Sequence, residues 1–259
     1  MKIARYTHND EITYGVLDGD DLVALRTDPL FGGFETTGRR VPLDEVRLLS
    51  PIIPRSKVVG IGKNYADHAA EMNSEVPAEP IMFFVPNTAV IGPDDPIVLP
   101  PWDDVVHHEA ELAVVISRPC KDVPIERAKE VIFGYTVGND VSARTAQRGD
   151  TTWARGKGFD TSCPLGPFLV IPESDAEFDP TNAAVRCYVD GELRQDGNTK
   201  DMIFSIPELI SYVTSVCSLL PGDVILTGTP AGVGPIEHGQ RVECEIEGIG
   251  ELTNLVIRR

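Results

Sequence analysis

The feature that most limits the fold of this chain is its punctuation. Glycine and proline, 23 and 21 of 259 residues, recur so often that apolar runs are cut into short pieces. Short runs that alternate in polarity, or are apolar throughout and end at turn residues, read as strands. Strands outnumber helices, and Gly/Pro turns join many of them. This predicts a mixed α+β, β-rich fold with few helices rather than a doubly wound sheet. Apolar residues make up 42% of the chain, enough for a substantial core.

Residues 2–26 alternate in the strand manner through Ile3, Tyr6, Ile12, Tyr14, Val16, Leu22, Val23 and Leu25. Asn9-Asp10 and Asp18-Gly19-Asp20 supply the turns. Pro51 and Pro54 mark a boundary, so residues 1–53 are expected to form a small N-terminal β domain and residues 54–259 the main domain. There, strands are expected at 57–61, 81–85, 97–99, 108–117, 133–137, 223–227 and 241–258. Short helices are expected after Asn64 and over 124–131. Residues 73–80, with Pro77 and Pro80, read as a mobile loop. The clearest helix is 206–220. Ser205 and Glu208 form a capping box, and Ile206, Leu209, Ile210, Val213, Cys217 and Leu220 share one face.

Charge narrows the partners. The formal balance is 23 − 40 = −17, which repels nucleic acid and anionic membrane. An anionic ligand would need local positive charge. The N-terminus lacks the apolar core of a signal peptide, and no long apolar span occurs, so a soluble cytoplasmic chain is expected. The five cysteines are odd in number and widely spaced, which argues against a disulfide framework or a zinc knuckle. Cys187 and Cys217 read as core residues. Cys163 is an alternative nucleophile, although no base adjoins it.

Glu109 and Glu111 open the run His107-His108-Glu109-Ala110-Glu111-Leu112-Ala113-Val114-Val115-Ile116. On a strand they share a face, about 7 Å apart, with Leu112, Val114 and Ile116 on the other. A cation between the carboxylates would relieve their repulsion; the alternative is a solvated face. Asp140 follows a buried strand ending at Asn139, where sites are often built. Three carboxylates suit Mg²⁺ or Mn²⁺ better than zinc, and the paired histidines lack the helical spacing of a zinc protease. Gly60-Ile61-Gly62 follows a strand but lacks the third glycine of a dinucleotide loop, since residue 65 is Tyr65.

Five blocks in order join these pieces: GKNYADHAAEM at 62–72, HHEAELAVVI at 107–116, GNDVSARTAQ at 138–147, WARGKGFDTSCPLGP at 153–167 and LLPGDVILTGTPAGVG at 219–234. Over roughly residues 55–257 the chain resembles the fumarylacetoacetate hydrolase family, in its smaller acylpyruvate hydrolase, oxaloacetate decarboxylase and hydroxyheptadienedioate isomerase branch. The resemblance implies a β-sandwich roll with a small N-terminal domain, assembled as a homodimer. It implies metal ligands at Glu109, Glu111 and Asp140, and a catalytic dyad of His68 and Glu71 on a lid helix. Lys157 matches the family lysine. Arg144, Gln147 and Thr229 match positions that contact substrate.

The implied chemistry is divalent-metal-dependent C–C bond cleavage of a small oxo-acid, first among them hydrolysis of an acylpyruvate such as acetylpyruvate or fumarylpyruvate. Oxaloacetate decarboxylation and 2-hydroxyhepta-2,4-diene-1,7-dioate isomerisation are the alternatives. A non-catalytic, metal- and ligand-binding dimer is the alternative of another class. In the catalytic readings, His68 and Glu71, three apart on a helix, can together take a proton from water. Lys157 can add positive charge beside a developing oxyanion.

Overall fold

The computed structural model describes residues 1–71, 75–174 and 176–258. Residues 73 and 74 of the loop expected at 73–80, and Met72 of the first sequence block, lie outside the described residues. The architecture is β-rich with few helices, as the punctuation predicts.

A twelve-stranded sheet forms the larger layer. From one edge it runs Thr36–Pro42, Asp21–Leu25, Glu11–Asp18, Lys2–His8, Cys163–Val170, Ile132–Asn139, Ala110–Ile116, Val224–Leu226, Val58–Gly62 and Ile81–Val85, with two short strands off this path. A five-stranded sheet holds Glu192–Asn198, Ala184–Val189, Arg241–Ile246, Gly250–Arg258 and Ile97–Leu99. The N-terminal meander forms as its turn residues dictate. Asn9 and Asp10 take φ of 51° and 64° between the paired ends His8 and Glu11, the backbone of a tight two-residue hairpin. Lys2–His8 also pairs with Cys163–Val170, placing Lys2 opposite Val170 and Ile3 opposite Leu169. The meander thus extends the main sheet through backbone hydrogen bonds.

The strand Ala110–Ile116 is the spine of the molecule. It pairs antiparallel with Ile132–Asn139 on one side and Val224–Leu226 on the other. Its side chains alternate between two apolar clusters: Leu112, Val114 and Ile116 enter one, Ala113 and Val115 the other. Both faces are therefore buried, where the sequence predicted one face occupied by carboxylates. Burying each of its larger aliphatic side chains contributes roughly 1.5–3 kcal/mol. The strand starts at Ala110 rather than 108, so Glu109 sits just before it.

Two helices differ from expectation. Ile125–Val131 is a 3₁₀ helix. The capping box of Ser205 and Glu208 starts Ile206–Val216 as predicted, but that helix stops four residues before 220. Its end is decided by a partner distant in sequence: the Leu219 and Cys120 backbones exchange hydrogen bonds of 3.0 Å in both directions. That exchange pulls residues after Cys217 into extended backbone and leaves Leu220 exposed. No helix among the described residues is long and apolar enough to cross a membrane.

A buried carboxylate joins the parallel strands Val58–Gly62 and Val224–Leu226. Asp223, with no solvent exposure, accepts from the Ser56 hydroxyl at 2.7 Å, the Lys57 ammonium at 2.7 Å and the Leu220 N–H at 2.9 Å. Removing the carboxylate takes the acceptor from all three donors at once. Asp223→Ala is expected to lower unfolding free energy by about 2 kcal/mol, read in urea as a lower midpoint at unchanged slope. A midpoint equal to that of the wild type would refute this role.

Candidate active site and metal centre

The site forms where the strand Ala110–Ile116 begins and its neighbour Ile132–Asn139 ends. Ala110 lies opposite Asn139 and Glu111 opposite Gly138. At Gly138 a Cβ would come within 2.6 Å of Leu226, so glycine leaves room for that side chain, which reaches across from two strands away. The Glu109 N–H donates to Asn139 Oδ1 and the Asp140 N–H to the Glu109 carbonyl, both at 2.9 Å. The Gly228 N–H donates to Glu111 Oε2 at 2.7 Å. These bonds gather three buried carboxylates, and one oxygen each of Glu109, Glu111 and Asp140 falls within 4.8 Å of the others.

Such a cluster is unstable without positive charge. Lys157, buried on the short helix Ala154–Lys157, donates to Glu109 Oε2 at 2.6 Å and Asp140 Oδ2 at 2.7 Å. Arg144, also buried, brings Nη2 to 2.6 Å from Glu109 Oε1. Nη1 of Arg144 donates to Gln147 Oε1 at 2.8 Å, while Nε and Nη2 have no acceptor aligned with them. The guanidinium thus keeps donors in reserve for an anion. Burial would raise the Glu109 carboxyl, but Lys157, then Arg144 and His68, outweigh it and hold Glu109 below the usual carboxylate range. Burial first, then the charges of Asp140 and Glu109, holds Glu111 well above its ordinary value. Burial likewise pushes Asp140 up to about 6, against the pull of Lys157. Asp140 Oδ1 is buried with no hydrogen-bond partner. An orphaned carboxylate oxygen inside an oxygen-only donor set fits a hard divalent cation.

His68 and Glu71 lie on the helix Ala66–Glu71. Asn64 ties the segment before it to two others, donating to the Thr227 carbonyl at 2.7 Å and accepting from the Phe204 N–H at 2.8 Å. His68 is buried, and its Nδ1 lies 3.2 Å from Glu71 Oε2. Glu71 also accepts from the Gly232 N–H at 3.1 Å. The carboxylate thus orients the imidazole and leaves Nε2 without a partner among the described residues.

One cavity of about 660 Å³, counting its open mouth, is lined by His68, Glu109, Glu111, Arg144, Gln147, Lys157 and Thr229. Asp140 completes the carboxylate cluster behind it and Glu71 holds His68, so the structure brings all nine candidate residues together. Arg148 and Trp153, from the loop at 148–155 that the sequence reading takes to shape the pocket, also line the cavity. Sequence reasoning missed two contributors. Lys63 lines the cavity and lies inside the first motif block, a signal that could have found it. Gln195 is buried and holds Thr229 from the second sheet; an isolated glutamine in a polar strand gives no signal.

The rival readings have structural answers. Gly60 and Gly62 admit aromatic rings: a Cβ would meet Phe83 at 2.2 Å and Trp153 at 2.6 Å respectively. Cys163 is fully buried, and burial followed by the charges of Asp140 and Glu111 raises its thiol far from reactivity. Neither His107 nor His108 joins the carboxylate cluster.

The family profile described as Fumarylacetoacetate (FAA) hydrolase C-terminal matches residues 57–257, and one described as Rv2993c-like, N-terminal matches residues 1–51. The chain is 49% identical to the crystal structure of 5-carboxymethyl-2-hydroxymuconate delta-isomerase from Mycobacterium smegmatis, covering all of both chains with a TM-score of 0.91. It is 46% identical to the mitochondrial oxaloacetate tautomerase FAHD2B of Bos taurus over 226 residues, 84% of this chain and 71% of the relative. It is 32% identical to maleylpyruvate hydrolase from Sphingobium sp. SYK-6 in complex with manganese (II) ion and pyruvate, with a TM-score of 0.81 over all of this chain and 99% of the other. With residues 57–257 matched by the family profile, this chain belongs to the fumarylacetoacetate hydrolase family, whose named members here are isomerases, tautomerases and hydrolases.

Proposed function

We propose that this chain, with a divalent cation, catalyses enol chemistry on a small 2-oxo dicarboxylic acid, moving a proton between its keto and enol forms. One observation carries the reading: His68, oriented by Glu71, lines the same cavity as the carboxylate cluster and its two buried cations. The names of the tautomerase and isomerase relatives, at 46% and 49% identity, support proton transfer as the core step. A cation held by Glu109, Glu111 and Asp140 would act as a Lewis acid on a carbonyl oxygen. Oxygen donors alone favour Mg²⁺ or Mn²⁺, and the maleylpyruvate hydrolase neighbour was solved with manganese.

The chain's own residues then divide the work. Arg144, paired through Nη2 with Glu109 but with Nε unpartnered among the described residues, receives the carboxylate next to the oxo group. His68 takes the proton from the adjacent carbon and returns it. Lys157 keeps positive charge beside the oxygen on which negative charge grows. Lys63 and Arg148 line the cavity, and their side chains have no ion pair or hydrogen bond among the described residues. They are the uncommitted charge that a second carboxylate would meet, so a diacid fits better than acetylpyruvate.

Acylpyruvate hydrolysis is a second reading, favoured by the dyad itself, since His68 with Glu71 can also activate water. Turnover of oxaloacetate, acetylpyruvate, fumarylpyruvate and hydroxyheptadienedioate with Mg²⁺ or Mn²⁺, and then with chelator, separates the readings. No turnover of any of the four would leave a non-catalytic, metal- and ligand-binding protein.

His68→Ala should abolish proton transfer and hydrolysis by at least about 100-fold in kcat, while changing oxaloacetate decarboxylation less. Equal loss of all activities would count against this division. Arg148→Ala should raise KM for oxaloacetate about 10-fold and leave acetylpyruvate nearly unchanged; a parallel change in both would remove the diacid argument. Because Asp140 is pushed up to about 6 and Glu111 is held well above its ordinary value, both hold protons in acid that a cation must displace. Mn²⁺ affinity should therefore rise from pH 5 to pH 7 with proton release, measured by calorimetry in buffers of different ionisation enthalpy. A flat profile would contradict it.

A further inference from the structure

Gln195 lies in the strand Glu192–Asn198 of the five-stranded sheet and has no solvent exposure. Its carboxamide makes four hydrogen bonds, all to groups outside that strand. Oε1 accepts from the Ala110 N–H and from His108 Nδ1, both at 3.0 Å. Nε2 donates to Thr229 Oγ1 at 2.7 Å and to the Pro230 carbonyl at 2.8 Å. A carboxamide has two acceptor sites and two N–H groups, so its capacity is fully used. Its orientation is fixed twice over: the Ala110 N–H can only donate, and the Pro230 carbonyl can only accept.

That fixed orientation reaches into the cavity. The Thr229 hydroxyl must accept from Gln195, and it donates its proton to the Ala110 carbonyl at 2.8 Å. Gln195 and Thr229 therefore grip Ala110 from both of its backbone groups, and Ala110 lies between Glu109 and Glu111. Close backbone packing supports the grip. A Cβ at Gly197 would meet Pro230 at 2.4 Å, and one at Gly232 would meet the Arg194 carbonyl at 2.0 Å. The second sheet thus holds the loop carrying Thr229 at one distance from the carboxylate cluster.

We infer that Gln195 is a positioning residue for ligand binding: it acts through Thr229, fixing that hydroxyl's place and proton relative to the carboxylate cluster. This rests on the functional reading above, in which an oxo-acid occupies the cavity that Thr229 lines. Glu109 is held independently by Asn139 and Asp140. Loss of Gln195 should therefore weaken ligand binding while sparing cation binding.

The test is a double-mutant cycle on Gln195→Met and Thr229→Val, using Mn²⁺ and pyruvate as probes in calorimetry on the full chain. Each single variant should weaken pyruvate binding to the Mn²⁺-loaded protein about 10-fold, the scale of one buried hydrogen bond. The double variant should lose little more than either single, because both remove the same contact. Mn²⁺ affinity without pyruvate should stay within about 3-fold of wild type, a split that general loss of structure would not produce. Gln195→Asn, one methylene shorter and unable to span Ala110 and Thr229, carries the same expectation if the methionine variant does not fold. Multiplicative losses near 100-fold in the double variant, or unchanged pyruvate binding in Gln195→Met, would overturn the proposal and leave the functional reading standing. If the wild-type protein binds no pyruvate with Mn²⁺ present, the functional reading falls, and the role of Gln195 falls with it.

Discussion

Three carboxylates within 4.8 Å of one another in a buried site are the constraint around which this molecule is organised. Desolvation and mutual repulsion oppose their ionisation, and two buried cations offset part of that cost. Lys157 spans Glu109 and Asp140, and Arg144 closes on Glu109. The compensation is uneven: Glu109 is held below its usual range, while Glu111 and Asp140 are raised. The two raised carboxyls, and the unpartnered oxygen of Asp140, are what a divalent cation would complete.

The rest of the fold supplies the rigidity this needs. The strand that leaves Glu111 runs between two apolar clusters and pairs on both edges, so its end cannot drift. Glycine at position 138 leaves room for the Leu226 side chain, and the loop after Leu226 returns a backbone N–H to Glu111. Gln195 adds a tie from the second sheet. His68 comes from a short helix fastened by Asn64, and its partner Glu71 leans on Gly232 of the loop carrying Thr229. Candidate groups from separate segments thus meet over one cavity because hydrogen bonds between residues distant in sequence pin those segments.

Much of this was legible in the residues. The turn pair Asn9-Asp10 and the capping box Ser205/Glu208 act locally, so their outcome follows from local chemistry. The ordered blocks pointed to the residues that line the cavity. Failures occurred where a distant partner decided the outcome. The helix from Ile206 ends at Val216 because Leu219 pairs with Cys120. Glu109 lies before its strand because its backbone is paired instead with Asn139 and Asp140. Alternation along residues 110–116 was read correctly as period two, but the second apolar cluster that Ala113 and Val115 enter beyond Glu111 was not foreseen.

By itself, the sequence determined that the chain would be β-rich, that Glu109, Glu111 and Asp140 were the acidic residues to watch, and which family the ordered blocks resemble. These rest on short-range pattern and residue type, which survive without coordinates. Only the tertiary structure decided that the three carboxylates meet, that Lys157 and Arg144 are spent on them while Lys63 and Arg148 are not, and that Gln195 reaches the site at all. Charge compensation and hydrogen-bond satisfaction depend on distances between segments far apart in the chain, and spacing along the chain does not encode those distances.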